Sequence, residues 1–395
     1  MSGNREVVVV SGVRAPIGSF GGSLKDLAPT ELGARVVKEA IARAGLDPAQ
    51  IGQLVLGNVI HGEAKDMYVS RVAAINAGLS RESGALTVNR LCGSGFQAIV
   101  SAAQMILLGD TDAAVGAGAE SMSRGGYLLP SGRWGARMGD NKIIDMMVGA
   151  LTDPFDTVHM GITAENIAAK WGITREMQDR FSVDSQKKAV AAIAAGHFKS
   201  QILPIEMQTR KGTVVFDTDE HPKGDTTMES LGKLKPAFKK DGSVTAGNAS
   251  GINDGAAAVV LMEAKAAEKA GLKPLGRLVS YGIAGVDPAY MGEGPIPAVQ
   301  KALAKAGLKA SDMDVIESNE AFAAQSLCVS KGLELDPAKV NPNGGAVALG
   351  HPIGATGVIL TVKCLYELAR TNKRYGLVTM CIGGGQGIAG VFERL

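Results

Sequence analysis

The hydrophobic pattern of the chain alternates short apolar runs with longer amphipathic or apolar segments. The runs at 7–10, 113–118, 256–262 and 375–381 are mostly apolar and predict strands buried on both faces. The segment FQAIVSAAQMILL (96–108) predicts a long apolar helix. Strands that are buried on both faces need helices on either side, so the pattern predicts a layered α/β fold.

The chain repeats part of this pattern in its second half. Three pairs of segments match in the same order along the chain: 44–58 with 306–319, 86–95 with 338–357, and more loosely 7–18 with 276–288. The first pair reads as a helix end, a glycine stop and a strand that ends in Asn. The matches predict an internal duplication, with an equivalent layered unit in each half.

The duplication is interrupted between about Ser121 and Ser250. This stretch is rich in Gly, Pro and charged residues, includes a predicted helix at 163–172, and has no counterpart in the second half. Long insertions of this kind often carry ligand contacts. We therefore expect it to lie over the first unit and to take part in substrate binding.

Composition and charge narrow the class of protein. Hydrophobic residues make up 46% of the 395 positions and charged residues 20%, as in a globular protein with a large core. The formal net charge is only +2, without a long run of one sign, which gives no basis for nucleic-acid or membrane binding.

No apolar stretch is expected to span a membrane, and the N-terminus leads almost directly into a strand without a signal peptide. The four scattered cysteines predict neither a zinc site nor disulfides, and a cytoplasmic location is expected.

Candidate chemistry is concentrated in two cysteines and a histidine set among glycines. Cys92 lies in NRLCGSGFQA just before the predicted helix, where the helix N-terminus is expected to lower the thiol pKa and to hold an oxyanion. His351 lies in GHPIGATG, with Pro352 suited to a first helical turn, and Cys381 ends a strand before IGGGQG. Buried core cysteines and a structural histidine are the plainer alternatives. Together the three predict acyl transfer through a covalent intermediate, with a carbon–carbon step.

Other candidates carry weaker signals. Asn319, in SNEAFAAQ, is placed to orient a water or the imidazole, although helix capping alone would explain an Asn there. His159 is either a pocket residue of the insertion or an ordinary surface residue. The lysines of KLKPAFKK (233–240) either meet phosphates or form a solvated face. The GGGQG run resembles part of a nucleotide-binding loop, but a strand rather than a helix is predicted after it.

These motifs closely resemble those of the thiolase family, from Glu6 to Leu395. NRLCGSGFQA, NEAFAAQ, GHPIGATG and CIGGGQG occur in the family's order, and the chain is most similar to bacterial acetyl-CoA acetyltransferases and β-ketothiolases. The resemblance implies an α/β fold of five layers, αβαβα, duplicated and with an inserted loop domain. It divides the chain into an N-terminal domain (1–121 plus 251–271), a loop domain (122–250) and a C-terminal domain (272–395).

The resemblance also implies a role for each catalytic residue. Cys92 is acylated by one acyl-CoA while His351 takes its proton, and Cys381 removes an α-proton from a second acetyl-CoA. Asn319 with a water, and His351, would form one oxyanion hole. The backbone N–H groups of Cys92 and Gly383 would form the other, and donors of this kind commonly supply the largest catalytic contribution.

Coenzyme A thioesters are the implied substrates, with no separate cofactor and no metal. By resemblance the acyl-CoA lies along the loop domain, and the contacts implied are His159, Met160, Lys223, Ser230, Leu234, Ala246, Ser250, Met291, Ala321 and Phe322. Lys223 departs from the family pattern, which often has Arg beside the adenine, and an ammonium lacks the flat guanidinium that stacks on a base. The implied assembly is a homotetramer, joined partly through a hairpin near 124–140.

Three other readings stay open from the sequence. A related condensing enzyme would replace the second cysteine, so Cys381 argues against one. A non-catalytic acyl-CoA binding protein would not need both thiols and His351. A Cys-His hydrolase would resolve its acyl-enzyme with water and make no carbon–carbon bond.

Overall fold

The computed structural model describes residues 5–209 and 212–395. Its strands are β1 (Val7–Arg14), β2 (Gly18–Ser19), β3 (Gln53–Gly57), β4 (Gly84–Val88), β5 (Ala113–Ser121), β6 (Tyr127–Leu128), β7 (Ile144–Asp145), β8 (Ile205–Thr209), β9 (Gly212–Phe216), β10 (Asn253–Glu263), β11 (Gly276–Gly285), β12 (Val315–Ser318), β13 (Tyr375–Ile382) and β14 (Gln386–Glu393). Its helices are α1 (Pro29–Ala44), α2 (Val69–Asn76), α3 (Ser94–Leu108), α4 (Met146–Ala150), α5 (Met160–Trp171), α6 (Arg175–Ala194), α7 (Met228–Gly232), α8 (Ala264–Lys269), α9 (Pro295–Ala306), α10 (Ala323–Gly332), α11 (Ala346–Leu349) and α12 (Thr356–Thr371). The strands and helices predicted from the apolar runs are all present, within a few residues of the predicted limits.

The two halves have the same strand order and the same strand directions. In the first half β1, β10, β5 and β3 are neighbours in that order, and in the second half β11, β14, β13 and β12 correspond to them. In each half the first two pairings are antiparallel and the third is parallel. The half-sheets meet where β1 pairs with β11, at Val8 with Arg277 and Val9 with Gly276. This agreement confirms the predicted duplication.

The side chains of the strands divide the interior into layers. Val7 and Val9 of β1 face a central core that holds α3 and α12, whereas Val8 and Val10 face an outer core with α1 and α2. A third core packs α9 against the outer face of the second half-sheet. Successive side chains of a strand point to opposite faces of the sheet, so one strand contributes side chains to two cores. The layers are therefore helices, sheet, helices, sheet and helices, as expected.

The insertion replaces a tight turn. In the second half β13 and β14 are joined by the short turn between Ile382 and Gln386, but in the first half the equivalent strands β5 and β10 are separated by residues 122–252. A buried ion pair fastens this segment to β1: the Arg14 guanidinium donates to both carboxylate oxygens of Asp219, at 2.7 and 2.8 Å. The insertion thus has a fixed position over the first half. The three domain limits given above stay a prediction.

The central helices touch through glycine. A Cβ atom at Gly357, in the first turn of α12, would overlap the backbone nitrogen of Phe96 in the first turn of α3. A Cβ at Gly118 of β5 would lie 2.5 Å from the Gly354 carbonyl oxygen. Real Cβ atoms do not approach so closely, so only glycine permits this contact. It brings the N-terminal ends of the two equivalent helices together.

One apolar segment is long enough to cross a membrane by length and composition, contrary to our expectation. The window Leu91–Leu108 has a mean hydropathy of 1.5, but 56% of it is buried inside the protein. It includes α3, whose apolar residues contribute to the central core. A core helix passes the same test as a membrane span, so the segment is weak evidence for a membrane location.

We predict that Gly357→Ala lowers the free energy of unfolding by about 3 kcal/mol, because an added methyl group must push α12 away from α3. Gly232→Ala is the matched control, since a Cβ at Gly232 meets open space. Chemical denaturation of both variants measures the difference. Equal stability of the two would show that the helix contact is not constrained.

Candidate active site

A cavity of about 350 Å³ opens where the two halves and the insertion meet. Its wall is mainly apolar side chains with two thiols and two imidazoles among them. The lining residues are Leu91, Cys92, Met122, Ala150, Leu151, His159, Met160, Ala237, Phe238, Ala246, Ala249, Ser250, Gly251, Ile252, Met291, Ala321, Phe322, His351, Ile353, Cys381 and Gly383. Cys92, His351 and Cys381 therefore share one site.

Cys92 is presented by a strained turn two residues before α3. Leu91 has φ of 45°, a left-handed conformation that is unfavourable for leucine. Asn89 accepts a hydrogen bond from the Leu91 N–H through its side-chain oxygen at 3.0 Å, and the Ser94 hydroxyl donates to the Leu91 carbonyl at 2.7 Å. The Ser94 oxygen also accepts from the Arg90 N–H at 2.8 Å. These bonds offset the strain and fix the position of the thiol.

The electrostatics at Cys92 differ from our expectation. Burial is the largest of the effects that raise the pKa of the Cys92 thiol to about 11, and the interaction with Glu120 is a smaller one. The backbone N–H groups of Gly383 and Cys92 lower it, but by less than burial raises it. The prediction of a lowered thiol pKa at the helix end is therefore wrong, because desolvation outweighs the helix terminus. The resting group is a thiol, and a base has to remove its proton.

His351 lies in the wall of the same cavity as Cys92. Its Nδ1 lies 2.6 Å from the Thr356 hydroxyl oxygen, its backbone N–H donates to Asn253 Oδ1 at 3.0 Å, and its Nε2 lies 3.3 Å from Asn319 Nδ2. Burial lowers the pKa of His351 to about 4, so the ring is neutral at rest. The predicted helical turn at Pro352 is wrong, because a separate turn over residues 353–355 comes first and α12 begins only at Thr356.

Cys381 is the last residue but one of β13, before the glycine turn that leads to β14. Burial raises the pKa of Cys381 well above its usual value, and a charge on Cys92 raises it further. Gly384 and Gly385 have φ of 79° and 82°, which other residues rarely adopt. A Cβ at Gly383 would lie 2.8 Å from the Met160 methyl carbon. Gly383 itself lines the cavity, and a strand follows the turn, as predicted.

Asn319 lies directly after β12, as its motif predicted. Its backbone N–H donates to the Thr379 carbonyl at 2.9 Å, and its side chain contacts His351. Among the described residues its Oδ1 atom has no hydrogen-bond partner. Asn319 is not part of the cavity wall, and it reaches the site through His351.

The predicted acyl-CoA contacts separate into two groups. Those that line the cavity are His159, Met160, Ala246, Ser250, Met291, Ala321 and Phe322. The His159 ring stacks on Phe238 with centroids 4.6 Å apart, and burial lowers the pKa of His159. The cavity does not include Lys223, Ser230 or Leu234, which are all exposed. Leu234 packs beside Gly247, next to the lining residue Ala246.

Sequence reasoning missed Glu120, a buried carboxylate at the end of β5. Its oxygens accept from Asn58 Nδ2 at 3.0 Å and from the backbone N–H groups of Val59, Ile60 and Gly354 at 3.0, 3.1 and 2.9 Å. Burial raises the pKa of Glu120 to about 8, although the backbone donors favour the carboxylate. Glu120 thus joins loops of the two halves. A charged residue at the end of the apolar run AAVGAGAE was the available signal.

Thr356 and Phe238 were also missed. Thr356 is buried against the His351 ring, and Phe238 forms part of the cavity wall beside His159. Phe238 lies within the lysine-rich segment 233–240, where the charges indicate a solvated face and not a cavity wall. Among residues 5–209 and 212–395, no group of three or more His, Cys, Asp and Glu side chains is arranged to hold a metal ion.

Comparisons with known proteins agree across the whole chain. The family model for the thiolase N-terminal domain matches residues 7–265, and that for the thiolase C-terminal domain matches residues 272–394. The beta-ketothiolase BktB of Cupriavidus necator is 64% identical over 392 residues, which are 99% of this chain and 100% of that protein. The acetyl-CoA acetyltransferase of Escherichia coli is 51% identical over 393 residues, again 99% and 100%.

Solved structures agree equally well. The crystal structure of the Bacillus anthracis acetyl-CoA acetyltransferase superimposes with a TM-score of 0.97 at 46% identity, covering 100% of both chains. Human mitochondrial 3-ketoacyl-CoA thiolase in complex with CoA gives a TM-score of 0.96 at 43% identity, covering 99% of this chain and 98% of that one.

We predict that alkylation of Cys92 by iodoacetamide accelerates about tenfold per pH unit between pH 6 and pH 9, because the thiolate fraction rises at that rate below a pKa of about 11. Peptide mass spectrometry measures the rate at Cys92, with N-acetylcysteine as the exposed control. A rate that is constant between pH 6 and pH 8 would instead reveal a preformed thiolate–imidazolium pair.

Proposed function

The chain belongs to the thiolase family, and on that premise we propose that it catalyses the reversible Claisen condensation of acetyl-CoA with acetyl-CoA or another short acyl-CoA. The products are a 3-ketoacyl-CoA and free CoA, and the intermediate is acyl-Cys92. The observation that carries the proposal is the meeting of Cys92, His351, Cys381 and Gly383 around one apolar cavity. A hydrolase has no use for the second thiol.

In the first half-reaction the Cys92 sulfur attacks the thioester carbonyl carbon. The Cys92 proton passes to His351 Nε2 and from there to the sulfur of the departing CoA. The backbone N–H groups of Cys92 and Gly383 already stabilise negative charge at this sulfur, as their lowering of the Cys92 pKa indicates. Fixed donors aimed at a developing charge are worth about 3 kcal/mol each in acyl transfer.

In the second half-reaction the Cys381 thiol gives its proton to His351, and the resulting thiolate removes an α-proton from acetyl-CoA. The enolate carbon attacks the acyl carbonyl on Cys92, the carbon–sulfur bond breaks, and the Cys92 thiolate takes a proton from His351, so both thiols and the imidazole return to their resting states. His351, with a water on Asn319, supports the enolate oxygen. A negative charge on Cys92 would raise the Cys381 pKa, and an acylated Cys92 cannot ionise, so acylation keeps that charge absent while Cys381 loses its proton.

The insertion supplies the binding surface for CoA in this proposal. His159, Met160, Ala246 and Ser250 line the cavity, and the related human enzyme has been solved with CoA. Lys223, Ser230 and Leu234 would meet the nucleotide end outside the cavity. Met291 lines the acyl end, where its flexible side chain suits chains longer than acetyl. No separate cofactor is needed.

Two further parts of the proposal concern the assembly and the location. We propose a homotetramer joined through the β6–β7 ribbon, whose connecting loop exposes 82% of Trp134 and 97% of Met138. We also propose a cytoplasmic location, since all four cysteines are free and two must stay reduced.

Substitution of the two thiols tests the division of labour. Cys92→Ser is expected to form no acyl-enzyme from acetyl-CoA. Cys381→Ala is expected to be acylated at Cys92 but to lose condensation and exchange of the acetyl α-protons with deuterium oxide. Cys328→Ala, which removes a buried cysteine outside the cavity, is the control and should retain all three activities. Acyl-CoA hydrolysis without condensation in the unsubstituted protein would favour the hydrolase instead.

The assembly has its own test. Trp134→Ser is expected to convert the tetramer into a smaller species. The indole is exposed in the single chain and would be buried in the interface, so its removal takes away contact area between subunits. Light scattering after size-exclusion chromatography measures the mass. An unsubstituted protein that runs as a monomer or dimer would contradict the proposal outright.

A further inference from the structure

The Thr356 hydroxyl lies between two groups that compete for its single hydrogen. Its oxygen is 2.6 Å from His351 Nδ1 and 2.9 Å from the Pro352 carbonyl oxygen. A carbonyl only accepts, whereas Nδ1 of a neutral imidazole either donates or accepts, depending on the tautomer. Thr356 is 2% exposed, so no bulk water substitutes for either bond.

In one arrangement the hydroxyl donates to Pro352. Its oxygen then accepts from Nδ1–H of His351, which leaves Nε2 unprotonated and able to accept. The Asn319 amide is consistent with this state, since its Nδ2 atom is 3.3 Å from Nε2. Every polar group in the chain from Pro352 to Asn319 Nδ2 has a complementary partner. His351 is then ready to receive a proton at Nε2.

In the other arrangement the hydroxyl rotates and donates to Nδ1. The proton of the neutral ring is then on Nε2, where it can be given to a leaving group or to an oxyanion. The Asn319 Oδ1 atom, which has no other partner among the described residues, accepts from Nε2–H after a flip of the amide. Rotation of one hydroxyl thus makes both tautomers compatible with the buried surroundings.

We propose that Thr356 is a positioning residue that holds resting His351 in the Nδ1–H tautomer and so keeps Nε2 free to receive a proton. The proposal rests on the proposed function, in which His351 takes the proton of Cys92. During that transfer the imidazolium donates from Nδ1 to Thr356, which still donates to Pro352. The proton received at Nε2 then leaves with the CoA sulfur, and the ring returns to its resting state.

A hydroxyl suits this task better than a carboxylate would. A carboxylate at Nδ1 would stabilise the imidazolium permanently and raise the His351 pKa. The hydroxyl provides a neutral acceptor for the brief cationic state and leaves the resting ring uncharged. It also reverses its hydrogen-bond direction, which a backbone carbonyl at the same place could not do.

A second threonine on α12 provides a control for a purely structural role of the Thr356 hydroxyl. Thr361 is also fully buried on α12 and also donates to the carbonyl four residues earlier, at 2.8 Å from Gly357. It makes no contact with His351. Thr361→Val therefore removes the same helix bond as Thr356→Val but not the bond to the imidazole.

The spectroscopic test is solid-state NMR on protein labelled with ¹⁵N and ¹³C in its five histidines. A protonated ring nitrogen bonded to Cγ is Nδ1, because Nε2 is not bonded to that carbon. The signal that His351→Gln removes identifies His351. We expect Nδ1–H in the unsubstituted protein and in Thr356→Ser, and a shift toward Nε2–H in Thr356→Val. A resting Nε2–H ring in the unsubstituted protein would overturn the proposal.

The kinetic test is single-turnover acylation of Cys92 by acetyl-CoA. We expect Thr356→Val to slow it by about 10- to 100-fold, the range for loss of a hydrogen bond to a charged group. Thr356→Ser should restore the rate, and KM for acetyl-CoA should not change because Thr356 is not in the cavity wall. Equal loss of rate in Thr356→Val and Thr361→Val would reduce the hydroxyl to a structural role.

A replacement variant and the acylation assay of the unsubstituted protein distinguish failure of this proposal from failure to fold or failure of the proposed function. If Thr356→Val does not fold, Thr356→Ala replaces it, and the spectrum of the unsubstituted protein still decides the resting tautomer. Failure of the unsubstituted protein to form any acyl-enzyme would count against the proposed function. The NMR result would stand apart from that failure, since it needs no turnover.

Discussion

The backbone contact between the N-terminal ends of α3 and α12 is the constraint on which the site depends. It joins equivalent helices of the two halves, and it exists because Gly357 and Gly118 have no side chain where Phe96 and Gly354 approach. Each helix is preceded by the loop that carries a reactive group. Close contact of the helix ends therefore turns two separate loops into one site. Glu120 reinforces the same junction by binding N–H groups from both halves.

Burial then determines the proton chemistry. The same apolar wall that shapes a pocket for an acyl chain raises the Cys92 pKa and lowers the His351 pKa, so both groups are neutral at rest. A neutral thiol in this setting is protected from stray reaction. In the proposed mechanism it becomes a nucleophile only when His351 takes its proton while a substrate carbonyl lies beside the N–H groups of Cys92 and Gly383. Desolvation thereby links reactivity to substrate binding.

Much of this organisation could be predicted from the chain. Apolar runs predicted the strands, and three matching segment pairs predicted the duplication. Glycine-rich motifs identified Cys92, His351 and Cys381, since reactive groups next to exposed backbone have a local signature. The features that could not be predicted depend on contacts between distant segments. Thr356 meets His351 only because residues 353–355 form a turn before the helix begins. The sign of the Cys92 pKa shift was wrong because local sequence shows the helix end but not the depth of burial.

The most direct test of the account is peptide mass spectrometry of the protein after incubation with acetoacetyl-CoA, with and without free CoA. An acetyl group on Cys92 that free CoA discharges as acetyl-CoA is the predicted result. It would place the nucleophile, the leaving group and the carbon–carbon step at one site. Folded, reduced protein that carries acetyl on another residue, or on none and releases no acetyl-CoA, would contradict the account.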